Sequence, residues 1–295
     1  MSIYIDLKDN GLEKVHYNYT QYPSYIHCNF LSEYPNYAAP PHWHDDIEFI
    51  YVLSGEMSYN INGEIIMLKS EEGIFINSRQ IHFGFSKEYK ECEFICILLH
   101  PMLLCLNPEI EQDYVNPVLQ NQNLPYIHFT HEIEWNREIM EGIYKIYSIK
   151  SVPTSILKIQ SIFTWMWALI YEHMPKLCNI KKTKNNNLSI LKNMIGFIQQ
   201  YYDQKITLQQ IAESGGVGQS KCCKLFKTYL YQTPNTYLIS YRLNKSITLL
   251  CNTDMTITEI AYIVGFNGSS YYAEAFRKYF NISPIEYRHN FAFEK

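Results

Sequence analysis

Between Tyr25 and Leu99 the apolar positions come in short runs broken by turn residues: YIHCNFL, IEFIYVL, EMSYNIN, EIIMLK, GIFIN and EFICILL. Short runs at even spacing predict the strands of an antiparallel sandwich or barrel, and we expect a small β-barrel. Asn62-Gly63 predicts a two-residue hairpin between two of them, because both positions accept positive φ. At Ile133 the period lengthens. Ile139, Ile143 and Ile146, then Ile159, Phe163, Trp167 and Ile170, recur at helical spacing and predict helices over 135–149 and 155–174. Trp165, Met166, Ala168 and Leu169 put apolar side chains on neighbouring faces of the second helix. More than one side therefore seeks burial, and we expect the barrel on one side and a second copy of the chain on another. Residues 1–23 are irregular, with one strand and an arm. KLCNIKKTKNNN, residues 176–187, is polar and without period, and reads as a linker.

Past the linker a helix is expected from near Leu188 to Tyr202, and then one pattern occurs twice. ITLQQIAESGGVGQSKCCKLFKTYLYQTPNTYLISYR begins at Ile206, and MTITEIAYIVGFNGSSYYAEAFRKYFNISPIEYR begins at Met255. Repetition at about 49 residues marks a duplicated supersecondary unit. Thr207 with Gln210, and Thr256 with Glu259, have the spacing of a capping box, which fixes a helix start in each copy. Leu208, Ile211, Ala212 and Gly215 line one helix face; Ile257, Ile260, Ala261 and Val264 line its counterpart. Gly216 and Gly265 stand where the pattern stops, suited to a left-handed turn. A second helix follows, Gln219 to Leu230 and Ser269 to Phe280. Its expected buried faces are Cys222, Leu225, Phe226 and Tyr229 in one copy and Tyr272, Ala275, Phe276 and Tyr279 in the other. A helix, a tight turn and a second helix polar on its far side make the helix-turn-helix that enters the DNA major groove.

Charge sharpens this division. The net charge of −4 hides a contrast: residues 188–295 sum to +4 and the remainder to −8. That fits one DNA-facing module beside one that is not. The 8 cysteines are scattered without a CxxC pair, the start MSIYIDLKDN lacks the apolar core of a secretion signal, and no apolar run is long enough to span a membrane. A cytoplasmic protein with reduced thiols is expected.

The duplicated pattern resembles the AraC/XylS family of bacterial transcription regulators over residues 188–295. The second copy carries most of the resemblance, in I-A-x-x-x-G-F-x-x-x-S-Y, A-F-R-K-Y-F and S-P-x-x-Y-R. Gly216 precedes Phe226 by ten residues and Gly265 precedes Phe276 by eleven, a difference that the family also shows. The resemblance implies two helix-turn-helix units joined by a long helix, about Pro234 to Leu250, with both recognition helices in successive major-groove segments of a double-stranded operator, and RNA polymerase as a further partner. The candidate DNA contacts are Gln219, Ser220, Lys221, Cys223, Lys224 and Lys227 in the first unit and Ser269, Ser270, Glu274, Arg277 and Lys278 in the second. Gln219 and Ser220 suit base edges, whereas Lys221, Lys227, Arg277 and Lys278 suit phosphates. Glu274 stands where the family often has arginine. A carboxylate there can accept from cytosine N4 but repels phosphate.

In the N-terminal half, His42, His44, Glu48 and Gly55 spell H-x-H-x3-E-x6-G, which resembles the first motif of the cupin barrel, and His82 falls where a second cupin histidine would. Arg79 and Ile81 depart from the second motif. In a strand, His42, His44 and Glu48 would share one face. Three imidazoles and a carboxylate can hold a divalent metal. The resemblance favours a different use: sensor barrels fused to this DNA-binding domain keep such residues without a catalytic metal, as the lining of a small-molecule pocket. No metal or other cofactor is therefore expected. Ligand contacts are expected from His42, His44, Glu48, Tyr51 and His82, with Trp43, Phe49, Tyr59 and Phe83 available to stack on a sugar.

The fold class expected is multi-domain α+β: a cupin-like antiparallel β-barrel with helices, then an all-α domain with two helix-turn-helix motifs. The expected boundaries are 1–130 for the sensing barrel, 131–175 for a helical dimerisation segment, 176–187 for the linker and 188–295 for the DNA-binding domain. The function expected is a homodimeric, effector-modulated transcription regulator, neither an enzyme nor a membrane protein. Two rivals are a metal-dependent cupin enzyme with a helical appendage and a ligand-independent dimeric activator.

Overall fold

Ile47–Ile61 forms one fifteen-residue strand, β2, where the sequence pattern predicts two. Ser54-Gly55 punctuates the apolar runs without ending the strand. The register shifts between Val52 and Ser54 instead, and Gly55 takes φ +80°. A side chain on Gly55 would collide with the Glu91 carbonyl. The structure, a computed structural model, describes residues 5, 12–18, 22–175 and 186–291. Residues 176–185 of the expected 176–187 linker lie outside the described residues, as does most of the N-terminal arm, while Asn186 and Asn187 already belong to a helix.

β2 organises the N-terminal unit. Its first part lies between β4 (Gly73–Ile76) and β6 (Cys92–Leu99); its second part pairs with β3 (Glu64–Lys69) and β5 (His82–Phe85). β1 (Ser24–Phe30) extends the sheet beyond β6, and β7 (Tyr126–Phe129) extends it beyond β4. Every pairing among these seven strands is antiparallel, and Asn62 (φ 51°) and Gly63 (φ 90°) make the expected hairpin between β2 and β3. β5 and β7 are additions to the elements expected from the pattern.

Alternation along β2, β4 and β6 builds two cores. Ile50, Val52, Ile74, Ile76, Phe94 and Leu98 face the barrel interior with Leu31, Tyr34, Met57 and Tyr59. Ile47, Phe49, Phe75, Ile95, Ile97 and Leu99 face the other way, under helices. Strands buried on both faces read as continuous apolar runs, which is why these segments lack a clean polar alternation. The chain from β6 to β7 carries two short helices, α1 (Pro108–Ile110) and α2 (Asn116–Leu119). The covering helices are α3 (Glu134–Ile149) and α4 (Ser155–His173), with Ile139, Ile143, Ile146, Ile159, Phe163, Trp167 and Ile170 buried as the spacing predicts. Met166 and Leu169 are also buried within this unit, whereas Trp165 is 58% and Leu157 75% exposed.

The C-terminal unit is all helical. α5 (Asn186–Gln200) precedes the duplicated pattern. The first copy is α6 (Leu208–Ser214) and α7 (Gln219–Leu230); α8 (Pro234–Asn252) follows; the second copy is α9 (Ile257–Ile263) and α10 (Ser269–Phe280); α11 (Pro284–Phe291) closes the unit. Both capping boxes form: Thr207 N–H donates to Gln210 at 2.8 Å and Thr256 N–H to Glu259 at 2.7 Å. Gly216 (φ 65°) and Gly265 (φ 87°) turn the chain through the left-handed region. Of the expected buried positions, Leu208 is exposed, and Gly215, Ile257, Ala275 and Tyr279 are half-buried; the others are buried.

Candidate functional site

Two places in the chain gather chemistry. The first lies on the barrel. His42 and His82 face each other across an isolated antiparallel bridge, His82 N–H donating to the His42 carbonyl at 3.0 Å. His44 and Glu48 do not share an uninterrupted strand: the chain bends at Asp45-Asp46 before β2 begins. The bend, rather than strand parity, brings His44 onto Glu48. Ligand-capable atoms of His42, His44, Glu48 and His82 all lie within 4.8 Å of one another, and all four side chains are buried. Glu48 Oε2 is 3.3 Å from His44 Nε2 and 2.6 Å from His82 Nε2, while Oε1 accepts from the Tyr59 hydroxyl at 3.1 Å.

Burial alone would raise the Glu48 carboxyl, but His82 and His44 beside it outweigh burial and hold it well below its ordinary range. Burial also works against ionising His44; the hydrogen bond and charge of Glu48 push it up to about 9. His42 goes the other way. Burial, then its imidazole neighbours, keep it well below the usual histidine range. His42 and His44 are thus shifted in opposite directions, although they stand two residues apart.

His42 and Glu48 also line a cavity of about 110 Å³, walled by Tyr25, Leu31, Tyr34, Ile50, Met57, Tyr59, Phe94, Cys96 and Leu98 among others. That volume admits on the order of ten water-sized groups. Its wall is largely apolar with a few polar side chains, Glu13, His16, Asn29, His42 and Glu48, the usual make-up of a small-molecule site. The structure does not bring Tyr51 to this cavity. Tyr51 follows the opposite parity on β2 from Glu48 and packs against the helix-side core. Phe49 shares that side, and of the expected aromatics Tyr59 alone lines the cavity. Glu13, Tyr25 and Cys96 are lining residues that spacing did not single out. Alternation on β6 pointed to Cys96 only once its register with β2 was known.

The second place is the outer face of the paired helix-turn-helix units. On α7, Gln219, Ser220, Lys221, Lys224 and Lys227 are exposed and Cys223 is half-buried. On α10, Ser270, Glu274, Arg277 and Lys278 are exposed and Ser269 is half-buried. Ser270, Glu274, Arg277 and Lys278 rim one shallow depression. The opposite faces, through Cys222, Leu225 and Phe226 and through Tyr272 and Phe276, are buried. Each unit is therefore a polar surface presented on an apolar seat.

The closing Tyr-Arg pairs have a structural use. Arg242 donates to the Tyr202 and Gln204 carbonyls at 2.6 and 2.7 Å. Arg288 donates to the Leu250 and Met255 carbonyls at 3.2 and 2.6 Å. Each arginine clamps the chain entering its own copy's first helix.

Comparison with known proteins covers both parts of the chain. Residues 28–125 match the AraC-like ligand binding domain family, and residues 211–290 match a helix-turn-helix domain family. An uncharacterized HTH-type transcriptional regulator of Bacillus subtilis, YdeC, is 31% identical over 284 residues, covering 96% of this chain and 97% of that protein. The melibiose operon regulatory protein of Escherichia coli is 24% identical over 279 residues, 90% of this chain and 89% of that protein. Among solved structures, an apo ToxT variant of Vibrio cholerae overlays 94% of this chain and 100% of that one with a TM-score of 0.48 at 13% identity. No described helix is long and apolar enough to cross a membrane.

Proposed function

Because the chain belongs to the AraC family of DNA-binding transcription regulators, we propose that the polar faces of α7 and α10 read its operator and that the barrel cavity takes its effector. The observation that carries this reading is the pairing of two outward polar helix faces, one on each copy of a duplicated scaffold, with a largely apolar barrel cavity that Glu13, His42 and Glu48 also line. Gln219 and Ser220 meet base edges, and Lys221, Lys224, Lys227, Arg277 and Lys278 meet phosphates. The effector is a small polar molecule, with a sugar as the leading class. Tyr59 and His42 suit hydroxyl groups, and relatives include the melibiose operon regulator. The effector acts by differing in affinity between two arrangements of the protein. Transcription is changed in the cytoplasm, through RNA polymerase, by a regulator rather than an enzyme.

The proposed dimer contact is the outer side of α4, where Leu157 and Trp165 are exposed. The 131–175 segment is thus both a cover for the sheet and an assembly surface, with the DNA-binding domain beginning after the 176–187 segment.

Selection of bound duplexes from a random pool, with and without sugars, tests the main reading. A defined site should emerge. Its affinity should fall with salt at a log–log slope of about −0.9 per engaged phosphate, so about −4.5 per chain if the five cations engage. A pool that yields no enriched sequence at low salt would overturn the operator reading.

A further inference from the structure

We propose that Arg242 is the positioning residue that fixes the angle between the two DNA-reading units, and with it the base-pair spacing the protein selects in its operator. The inference rests on the operator reading and adds to it what sets the distance between the two bound segments. The two copies share α8. Tyr237 packs on Phe226 of α7, ring centroids 5.8 Å apart, and Leu243 and Leu250 belong to the core of the second copy. A shared helix gives both copies one axis, yet helices of this length curve rather than stand straight. A second attachment, away from that axis, is needed to hold the copies at one angle.

The chain entering the first copy supplies it, because Tyr202 to Gln204 lie against the turn of the second copy. A Cβ on Gly265 would come 2.5 Å from the Tyr202 carbonyl oxygen and 2.9 Å from both the Asp203 carbonyl carbon and Arg242 Nη2. Tyr202 also packs on the core of the second copy, beside residues such as Leu243, Ile260 and Phe276. Arg242 sits at the centre of this joint. Its Nε and Nη2 donate to the Tyr202 and Gln204 carbonyls, and its Cζ lies 5.8 Å from the centre of the Phe266 ring, within cation–π range. Phe266 in turn packs on Tyr272 of α10, ring centroids 5.2 Å apart, so the contact reaches the second recognition helix. A rigid planar fork can span two carbonyls and still offer a face to a ring, which a lysine ammonium cannot. Arg288, at the matching place in the repeat, gives the contrast. Its bonds go to the Leu250 and Met255 carbonyls, on the chain leading into its own copy. Arg242 thus holds one copy against the other, whereas the Arg288 bonds close a single copy.

The test uses full-length protein and the duplex enriched from the random pool, with versions that carry one base pair more or one fewer between the two protected segments. One base pair moves the second segment about 3.4 Å along the axis and about 35° around it. By fluorescence anisotropy, wild type should bind the altered duplexes about tenfold or more weakly than the parent, since one unit loses its base contacts. Arg242→Ala should bind the parent more weakly and all three duplexes within about threefold of one another. Arg242→Lys, which keeps the charge but not the fork, should lose the spacing preference too, and it decides the matter if Arg242→Ala does not fold. Arg288→Ala should keep the wild-type preference even as its thermal midpoint falls, a split that lost stability alone would not produce. A pool without any enriched sequence removes the operator reading and this inference with it. Folded Arg242 variants that keep the wild-type preference, or wild type that binds all three spacings equally, overturn this inference alone.

Discussion

Lys224 and Glu274 are each the sixth residue of their helix, α7 and α10, and carry opposite charge on exposed side chains. On the proposed DNA faces the first would attract phosphate and the second repel it, which would make the two copies unequal readers. Glu274→Arg should tighten binding to non-specific duplex several-fold at low salt, and Lys224→Ala should weaken it, both read by fluorescence anisotropy across a salt series. An unchanged affinity for Glu274→Arg would remove this residue from the DNA face. At this scale the sequence was partly legible. Spacing selected His42, His44, Glu48 and His82, and the structure brings them together, but the expected mechanism was strand parity and the actual one is a bend and a bridge. Tyr51 was expected at the ligand as an aromatic near the motif, without reference to its parity on β2, which is opposite to that of Glu48. The orientation of each imidazole depends on carbonyls at Pro40, Asp46 and Gln80, which no side-chain pattern reveals.

Elements were most legible where local chemistry decides them. The capping boxes at Thr207 and Thr256 and the turns at Gly216 and Gly265 involve neighbours in sequence, and the second helices begin and end where expected. β5 and β7 were not legible, since four-residue strands containing HFGF or YIHF exist only through pairing with distant partners, β2 and β4. For the same reason the bulge that carries β2 through Ser54-Gly55 was read as a break. The two turn glycines give a contrast at this scale. Both have positive φ, which costs an alanine about 1–2 kcal/mol. Around Gly216 a Cβ would meet nothing within 4 Å, whereas at Gly265 it would come 2.5 Å from the Tyr202 carbonyl. Gly265→Ala should therefore lower the denaturation midpoint of the C-terminal helices clearly more than Gly216→Ala, as followed by far-UV circular dichroism. Equal losses would mean that backbone conformation alone requires the glycines.

For the whole molecule, the division into an acidic β unit and a mildly basic helical unit was legible from charge and period together. The association of two copies was expected from apolar residues around the second helix. Met166 and Leu169 turn out to serve the sheet, which leaves Leu157 and Trp165 exposed. Leu157→Glu with Trp165→Glu should shift the protein from dimer to monomer in sedimentation velocity while leaving the far-UV spectrum intact; a dimer that survives both changes uses another surface. The sheet has a further consequence, in time rather than space. β1 pairs Ser24 with Leu99, and β4 pairs Gly73 with Phe129, so the barrel cannot close until residue 129 has been synthesised. Each helix-turn-helix, by contrast, draws on contacts nearby in sequence and can form almost as soon as it emerges. The half of the chain made first is therefore the half that finishes slowly, and its unpaired strand edges stay open to other chains while the ribosome is still at work.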